Sequence, residues 1–154
     1  MDRVTLAPVA DVATLFGMYV DVRGRELELT DRPREQRDRL LAWQFEAQRR
    51  GYREQFPAAE RRFIMWDGVA VGWIIVDRSG AEICCVDIAL VERARGLGIG
   101  SHVLRGLQHE ASTAGKPLTI TVRRANIGAF TLYQRLGFRV IAQTDLHARL
   151  EWRA

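Results

Sequence analysis

Apolar and polar positions along the 154-residue chain change period several times, and each change predicts an element. Val4 to Val9 read as a short strand that ends around Pro8. Thr30-Asp31-Arg32-Pro33 carries helix-start chemistry, with proline near the first turn. The charged stretch from Thr30 to Arg53 spaces Leu40, Leu41, Trp43 and Phe45 as an amphipathic helix does. Arg62–Trp66 and Val69–Val76 flank Asp67-Gly68, a strong short-range hairpin signal. A second turn at Asp77-Arg78-Ser79-Gly80 leads into the apolar run Ile83 to Val91. Beyond a glycine-rich junction, Ile99, Val103, Leu104, Leu107 and Ala111 form one helical stripe, stopped at Gly115-Lys116-Pro117. Leu118–Val122 alternates as a strand, Asn126 to Leu136 reads as a helix, and Phe138–Ile141 and Leu146–Trp152 read as closing strands. A strand meander followed by strand–helix–strand–helix–strand predicts an α/β (α+β mixed) fold, a central mixed sheet flanked by helices.

Composition adds little to that picture and removes several alternatives. With 47% hydrophobic and 27% charged residues, the chain reads as one ordinary globular domain over residues 1–154. The formal charge is +4, and Lys116 is the sole lysine among 23 basic residues. Arginine suits phosphate and carboxylate, although a GC-rich genome would give the same bias. No basic run is interleaved with aromatics, which argues against nucleic acid as a partner. The first residues show no charged-then-apolar leader pattern, and no apolar stretch approaches membrane-spanning length. Cys84 and Cys85 are neighbours in an apolar run and read as buried core thiols, neither a disulfide framework nor a metal pair. The expected setting is reducing and cytoplasmic.

Candidate chemistry begins at Arg93-Ala94-Arg95-Gly96-Leu97-Gly98-Ile99-Gly100-Ser101. The dinucleotide fingerprint fails because position 101 is serine, and the phosphate loop of nucleotide hydrolases fails because no lysine follows. What remains is a helix opening at Leu97–Ser101, whose first amides lack internal partners at the positive end of the dipole. Glycines there let an anion approach the backbone. A tight strand-to-helix connection would need glycines equally.

A second cluster separates these readings. Arg95-Gly96-Leu97-Gly98-Ile99-Gly100 matches Arg/Gln-x-x-Gly-x-Gly/Ala, the acyl-CoA pyrophosphate motif of the GNAT superfamily of N-acetyltransferases. Val122 to Phe138 resembles that family's second signature through Val122, Asn126, Ala129, Leu132-Tyr133 and Gly137-Phe138. The likeness covers residues 62–153; residues 1–60 match only in element order, on the side that shapes the acceptor site. The resemblance implies a six- to seven-stranded sheet holding acetyl-CoA where strands 4 and 5 splay apart. Carried over residue by residue, the backbones of Ile88 and Leu90 would hold the pantetheine arm, and the Leu90 amide would meet the acetyl carbonyl. Arg95, Gly96, Leu97, Gly98, Ile99, Gly100 and Ser101 would receive the pyrophosphate. Asn126 would contact the cofactor, or be an ordinary helix cap, or both. Phe130 would line the sulfur end.

Tyr133 stands where the family often has its general acid, and a phenol is protonated at neutral pH. Phe130, Tyr133 and Leu136 could equally be a helix's apolar stripe. An alkyl amine acceptor must lose a proton at a cost of about 4–5 kcal/mol at pH 7. Several relatives carry a glutamate for this where the chain has Cys84; Asp87 is the nearby substitute, unless it makes a structural hydrogen bond to a neighbouring loop or helix. No spacing sets a histidine beside Cys84 or Cys85, so a thiol nucleophile is not expected. His102, His109 and His147 have no metal-ligand spacing, and no metal is expected. The implied activity is acetyl transfer from acetyl-CoA to a primary amine of a small molecule, amino acid or peptide, by direct attack in a ternary complex. An acyl-CoA-binding sensor without turnover is the alternative, and a homodimer is compatible with either. Residues 21–54, the expected wall of the acceptor pocket, hold nine arginines against eight acids. Trp43, Phe45, Tyr52 and Phe56 there would line a pocket or pack the helix on the sheet.

Overall fold

Period-2 apolar segments pair and period-3.6 segments cover them, which is how the elements assemble in a computed structural model of the chain. It describes residues 3–28 and 33–154, without the side chains of 25–28. The order is β1 (Val4–Pro8), α1 (Val12–Glu28), α2 (Arg34–Gln55), β2 (Glu60–Trp66), β3 (Val69–Asp77), β4 (Ile83–Leu90), a 3-10 turn (Glu92–Ala94), α3 (Ile99–Ala114), β5 (Leu118–Arg123), α4 (Ile127–Arg135), β6 (Arg139–Gln143) and β7 (His147–Trp152). The strands form one seven-stranded sheet ordered β1-β2-β3-β4-β5-β7-β6. All neighbours are antiparallel except β4 and β5. The mixed α/β sheet expected from the pattern is therefore present.

Residues 10–29, to which the pattern assigns no element, contain α1. Asp11 caps it by accepting the Thr14 amide at 2.6 Å and the Thr14 hydroxyl at 2.9 Å. Leu15, Met18 and Tyr19 then recur at helical spacing and are buried. The helix-start residues Thr30, Asp31 and Arg32 lie outside the described residues, and α2 begins after Pro33. Within α2, Leu41 and Phe45 face the core, whereas Trp43 is 68% exposed. Trp43 thus neither packs on the sheet nor lines a pocket, because it projects two positions away from the buried stripe.

The two sheet faces are distinguished at β3. Trp73 meets Tyr19 of α1, with ring centroids 6.3 Å apart, so this face lies beneath the first helices. Gly72, pointing the other way, is paired with Leu90, which lies against Gly100 of α3. The α3 stripe Ile99, Val103, Leu104, Leu107 and Ala111 is buried throughout, and Gly115 ends the helix at φ 66°. Gly72 also marks a close approach: a Cβ there would sit 2.1 Å from the Ala89 carbonyl oxygen.

Candidate active site

The parallel pair β4–β5 is matched only at Ile83–Leu118, Cys84–Thr119 and Cys85–Ile120. Past Cys85 the strands have no common register, although β4 continues to Leu90 and β5 to Arg123. Val86 to Leu90 are consequently half-exposed in mid-sheet. A bulge in β4 opposite Ile75/Val76 of β3 shifts the register beside this point and leaves Val86 without a partner on β3.

Backbone direction follows from the β3 side. The Val91 amide donates to the Val71 carbonyl at 2.8 Å. Alternation in an antiparallel ladder then turns the N–H and C=O groups of Leu90 and Ile88 the opposite way, into the opening. The Leu90 carbonyl accepts Arg95 Nε at 3.0 Å, consistent with that direction. The Leu90 and Ile88 amides thus stand as edge donors inside a sheet.

The opening continues into the Arg95–Ser101 junction. Gly96 (φ 73°) and Gly98 (φ 82°) adopt left-handed backbone, which a side chain would strain. Among the described residues no side chain caps α3, and the first amide to bond back is that of His102, to the Gly98 carbonyl at 3.0 Å. The amides of Leu97, Gly98, Ile99, Gly100 and Ser101 therefore face outward at a helix start, an arrangement suited to an anion. Arg95, Gly96, Leu97 and Gly98 are exposed and Ser101 half-buried, but the Ile99 side chain is in the core, leaving only its amide for such a role. A Cβ at Gly100 would meet only ordinary contacts, Leu90 Cδ1 at 3.7 Å and Leu132 Cδ2 at 4.0 Å. Protein packing alone does not demand glycine there.

The α4 residues flank the same end. Asn126 is a true N-cap, its Oδ1 accepting the Ala129 amide at 3.2 Å. Phe130, with Arg124, Ile127 and Gln143, lines a cavity of about 170 Å³. Tyr133 is buried and tilted against Phe138, with centroids 5.9 Å apart. Its hydroxyl has no hydrogen-bond partner among the described residues. Burial, with smaller contributions from Cys85 and Asp87, raises its pKa above the ordinary value of 10.0, so the phenol holds its proton firmly.

Asp87 is half-buried and paired with Ile75, and its Oδ2 accepts Trp73 Nε1 at 2.9 Å. A structural hydrogen bond to Asp87 therefore exists, from the adjacent strand rather than from a loop or helix. The other carboxylate oxygen, Oδ1, carries no protein hydrogen bond among the described residues. Cys84 and Cys85 form no disulfide; Cys85 is buried but Cys84 only half so. Burial raises both thiol pKa values, with Asp87 adding to the effect at Cys85, so neither is a ready thiolate.

The pattern missed a second cavity of about 240 Å³ on the α1–α2 face, whose wall includes Tyr52, Phe56, Arg61 and Ile75. Tyr52 and Phe56 thus line a pocket, which the α2 pattern left open. Arg61, Ile75 and Asp87 form one cross-strand row over β2, β3 and β4. Register, invisible in sequence, sets Asp87 next to this cavity.

Comparison with known proteins agrees with this geometry. The family model for the acetyltransferase (GNAT) family matches residues 25–138. No curated protein matches the chain. A PaiA N-acetyltransferase from Thermoplasma acidophilum in complex with coenzyme A has a similar structure, with TM-score 0.74, 13% identity and coverage of 98% of this chain and 99% of that one. An acetyltransferase from Thermus thermophilus gives 0.69 and 19%, covering 97% and 96%. A GNAT family acetyltransferase from Elizabethkingia anophelis with acetyl-CoA bound gives 0.63 and 17%, covering 100% of both chains. With the family match spanning most of the chain and the split sheet in place, the chain belongs to the GNAT acetyltransferase family and is an acetyl-CoA-dependent acyltransferase.

Proposed function

We propose that the protein transfers the acetyl group of acetyl-CoA to a primary amine by direct attack in a ternary complex. The observation that carries this reading is the β4–β5 pairing that stops at Cys85 and leaves the Ile88 and Leu90 backbone facing an open slot. The slot ends at the outward amides of residues 97–101. A pantetheine arm fits as an added pseudo-strand on Ile88 and Leu90, and a pyrophosphate fits the junction from Arg95 to Ser101. Asn126 and Phe130 border the same end.

In this reading Asp87 takes a proton from the acceptor ammonium, directly or through water, using the oxygen that Trp73 leaves open. The amine nitrogen forms the new bond to the acetyl carbon, and the Leu90 amide donates to the carbonyl oxygen as it gains negative charge. The carbon–sulfur bond breaks with its electron pair going to sulfur, which takes the proton of Tyr133. That tyrosine is then reprotonated by the second proton lost from the nitrogen, and Asp87 gives the first to solvent. One amide, one free thiol and one released proton are formed, so atoms and charge balance. The raised thiol pKa values of Cys84 and Cys85 favour this route over an acyl-enzyme.

Thiol release from acetyl-CoA against a panel of amines, amino acids and peptides tests the proposal, with mass spectrometry of the acetylated product. Amine-dependent release with a matching N-acetyl product is expected. Acetyl-CoA binding without release for any acceptor would instead indicate a sensor.

A further inference from the structure

The cavity on the α1–α2 face has an unusual charge balance. Its polar wall consists of Arg49, Arg53, Arg61 and Tyr52. Arg49 is already engaged, with Glu46 at 3.0 Å and its guanidinium 5.4 Å from the Phe45 ring centroid. Arg53 and Arg61 have no hydrogen bond or ion pair to any described residue, and Arg61 is half-buried. Arginine is rarely desolvated without a partner. Burial lowers the Arg61 pKa, the Asp87 charge along the row partly opposes that, and Arg49 and Arg53 add to the lowering, so Arg61 is a partly desolvated cation with no direct ion pair among the described residues. Burial likewise raises the Tyr52 pKa above its ordinary value of 10.0, keeping its hydroxyl a proton donor.

Position gives the charge a use. Arg61 and Asp87 stand two strands apart in one row, a backbone separation of about 10 Å, with Ile75 between them. Phe56 and Ile75 supply apolar wall beside the donors. A molecule with an ammonium at Asp87 and an anion at Arg61 would span this row.

We infer that this cavity receives the carboxylate of the acceptor, held by Arg61 and Arg53 with the Tyr52 hydroxyl, so that the substrate class is a small amine that also carries a carboxylate. The inference rests on the acyl-transfer reading for the use of that amine, but carboxylate binding itself does not depend on turnover. Guanidinium groups suit carboxylates through paired hydrogen bonds, and a cavity of about 240 Å³ suits a small group rather than a polymer.

The test uses matched pairs, each an amino acid and the amine left on its decarboxylation, in two measurements on the full chain. One is thiol release from acetyl-CoA; the other is calorimetric binding of each compound. The carboxylate form is expected to win by about ten- to a hundredfold in both, the range of a charge-assisted hydrogen bond. Arg61→Met and the exposed-site variant Arg53→Gln should collapse that ratio while acetyl-CoA affinity, the check on folding, is retained. Turnover with no preference for the carboxylate, or a ratio unchanged in both variants, overturns the inference and leaves acyl transfer standing. A binding preference that Arg61→Met abolishes, with no acetyl transfer to any amine, supports the carboxylate site and overturns the transfer reading.

Discussion

Replacing Tyr133 with phenylalanine separates catalysis from packing, because the structure gives the two roles different consequences. The side chain is 6% exposed and its ring rests against Phe138, a contact phenylalanine keeps. The hydroxyl bonds to no described residue, so its loss orphans no partner and avoids the usual penalty of about 1–3 kcal/mol. Stability should therefore change by less than about 1.5 kcal/mol, the range of a volume-conserving core swap. If the phenol protonates the departing sulfur, turnover should fall by about 10²–10⁴, equivalent to roughly 3–5 kcal/mol of barrier. Steady-state thiol release and a melting curve on the same preparation measure both quantities. The raised pKa adds a pH signature: no alkaline loss of rate from this group should begin near its ordinary value of 10.0. A variant with unchanged turnover and a lowered melting temperature would refute the reasoning and return Tyr133 to the core.

Three further outcomes are expected. Gly72→Ala sets a Cβ 2.1 Å from the Ala89 carbonyl oxygen and 3.0 Å from Leu90 Cδ2, and should destabilise by about 1–3 kcal/mol; an unchanged denaturation midpoint would contradict the close β3–β4 approach. Incubation with acetyl-CoA should leave no stoichiometric acetyl adduct on Cys84 or Cys85 by mass spectrometry, and a chemically competent adduct would overturn direct transfer. Stability should hold at neutral pH and decline as pH rises past the ordinary values of 9.0 for Cys85 and 10.0 for Tyr52 and Tyr133. The sign follows because burial raises all three, so the unfolded chain releases these protons first and alkali favours unfolding. A melting temperature flat to about pH 11, a unit above the ordinary tyrosine value, would refute it.

Much of this architecture is local and hence legible in the sequence. Asp67-Gly68 specifies its hairpin, Gly115 its helix stop, and the α3 stripe its buried face, because each depends on backbone conformations or periods that neighbouring residues set. The glycine junction and the Val122–Phe138 signature point to the slot in the same way. The α1 helix is harder to read although Leu15, Met18 and Tyr19 repeat at helical spacing; Gly17 and Gly24 interrupt the pattern. Non-local facts are out of reach. The Trp73–Asp87 hydrogen bond joins residues fourteen positions apart, and the row from Arg61 through Ile75 to Asp87 depends on strand register and a bulge. An arginine count across residues 21–54 favours neither sign of acceptor, whereas the cavity sorts paired Arg49 from Arg53, which has no ion pair among the described residues, and includes Arg61 from β2.

In the proposed mode of binding, acetyl-CoA occupies the opening between β4 and β5 with its pyrophosphate on the amides ahead of α3. Calorimetric titration of acetyl-CoA into the intact protein and into Gly100→Glu tests it most directly. The variant adds a negative charge at a position where a Cβ meets only ordinary contacts, and a melting curve on the same preparation checks that it is folded. Micromolar binding by the intact protein, lost in Gly100→Glu, is the predicted result. No detectable binding by the intact protein, or equal binding by the variant, would contradict it.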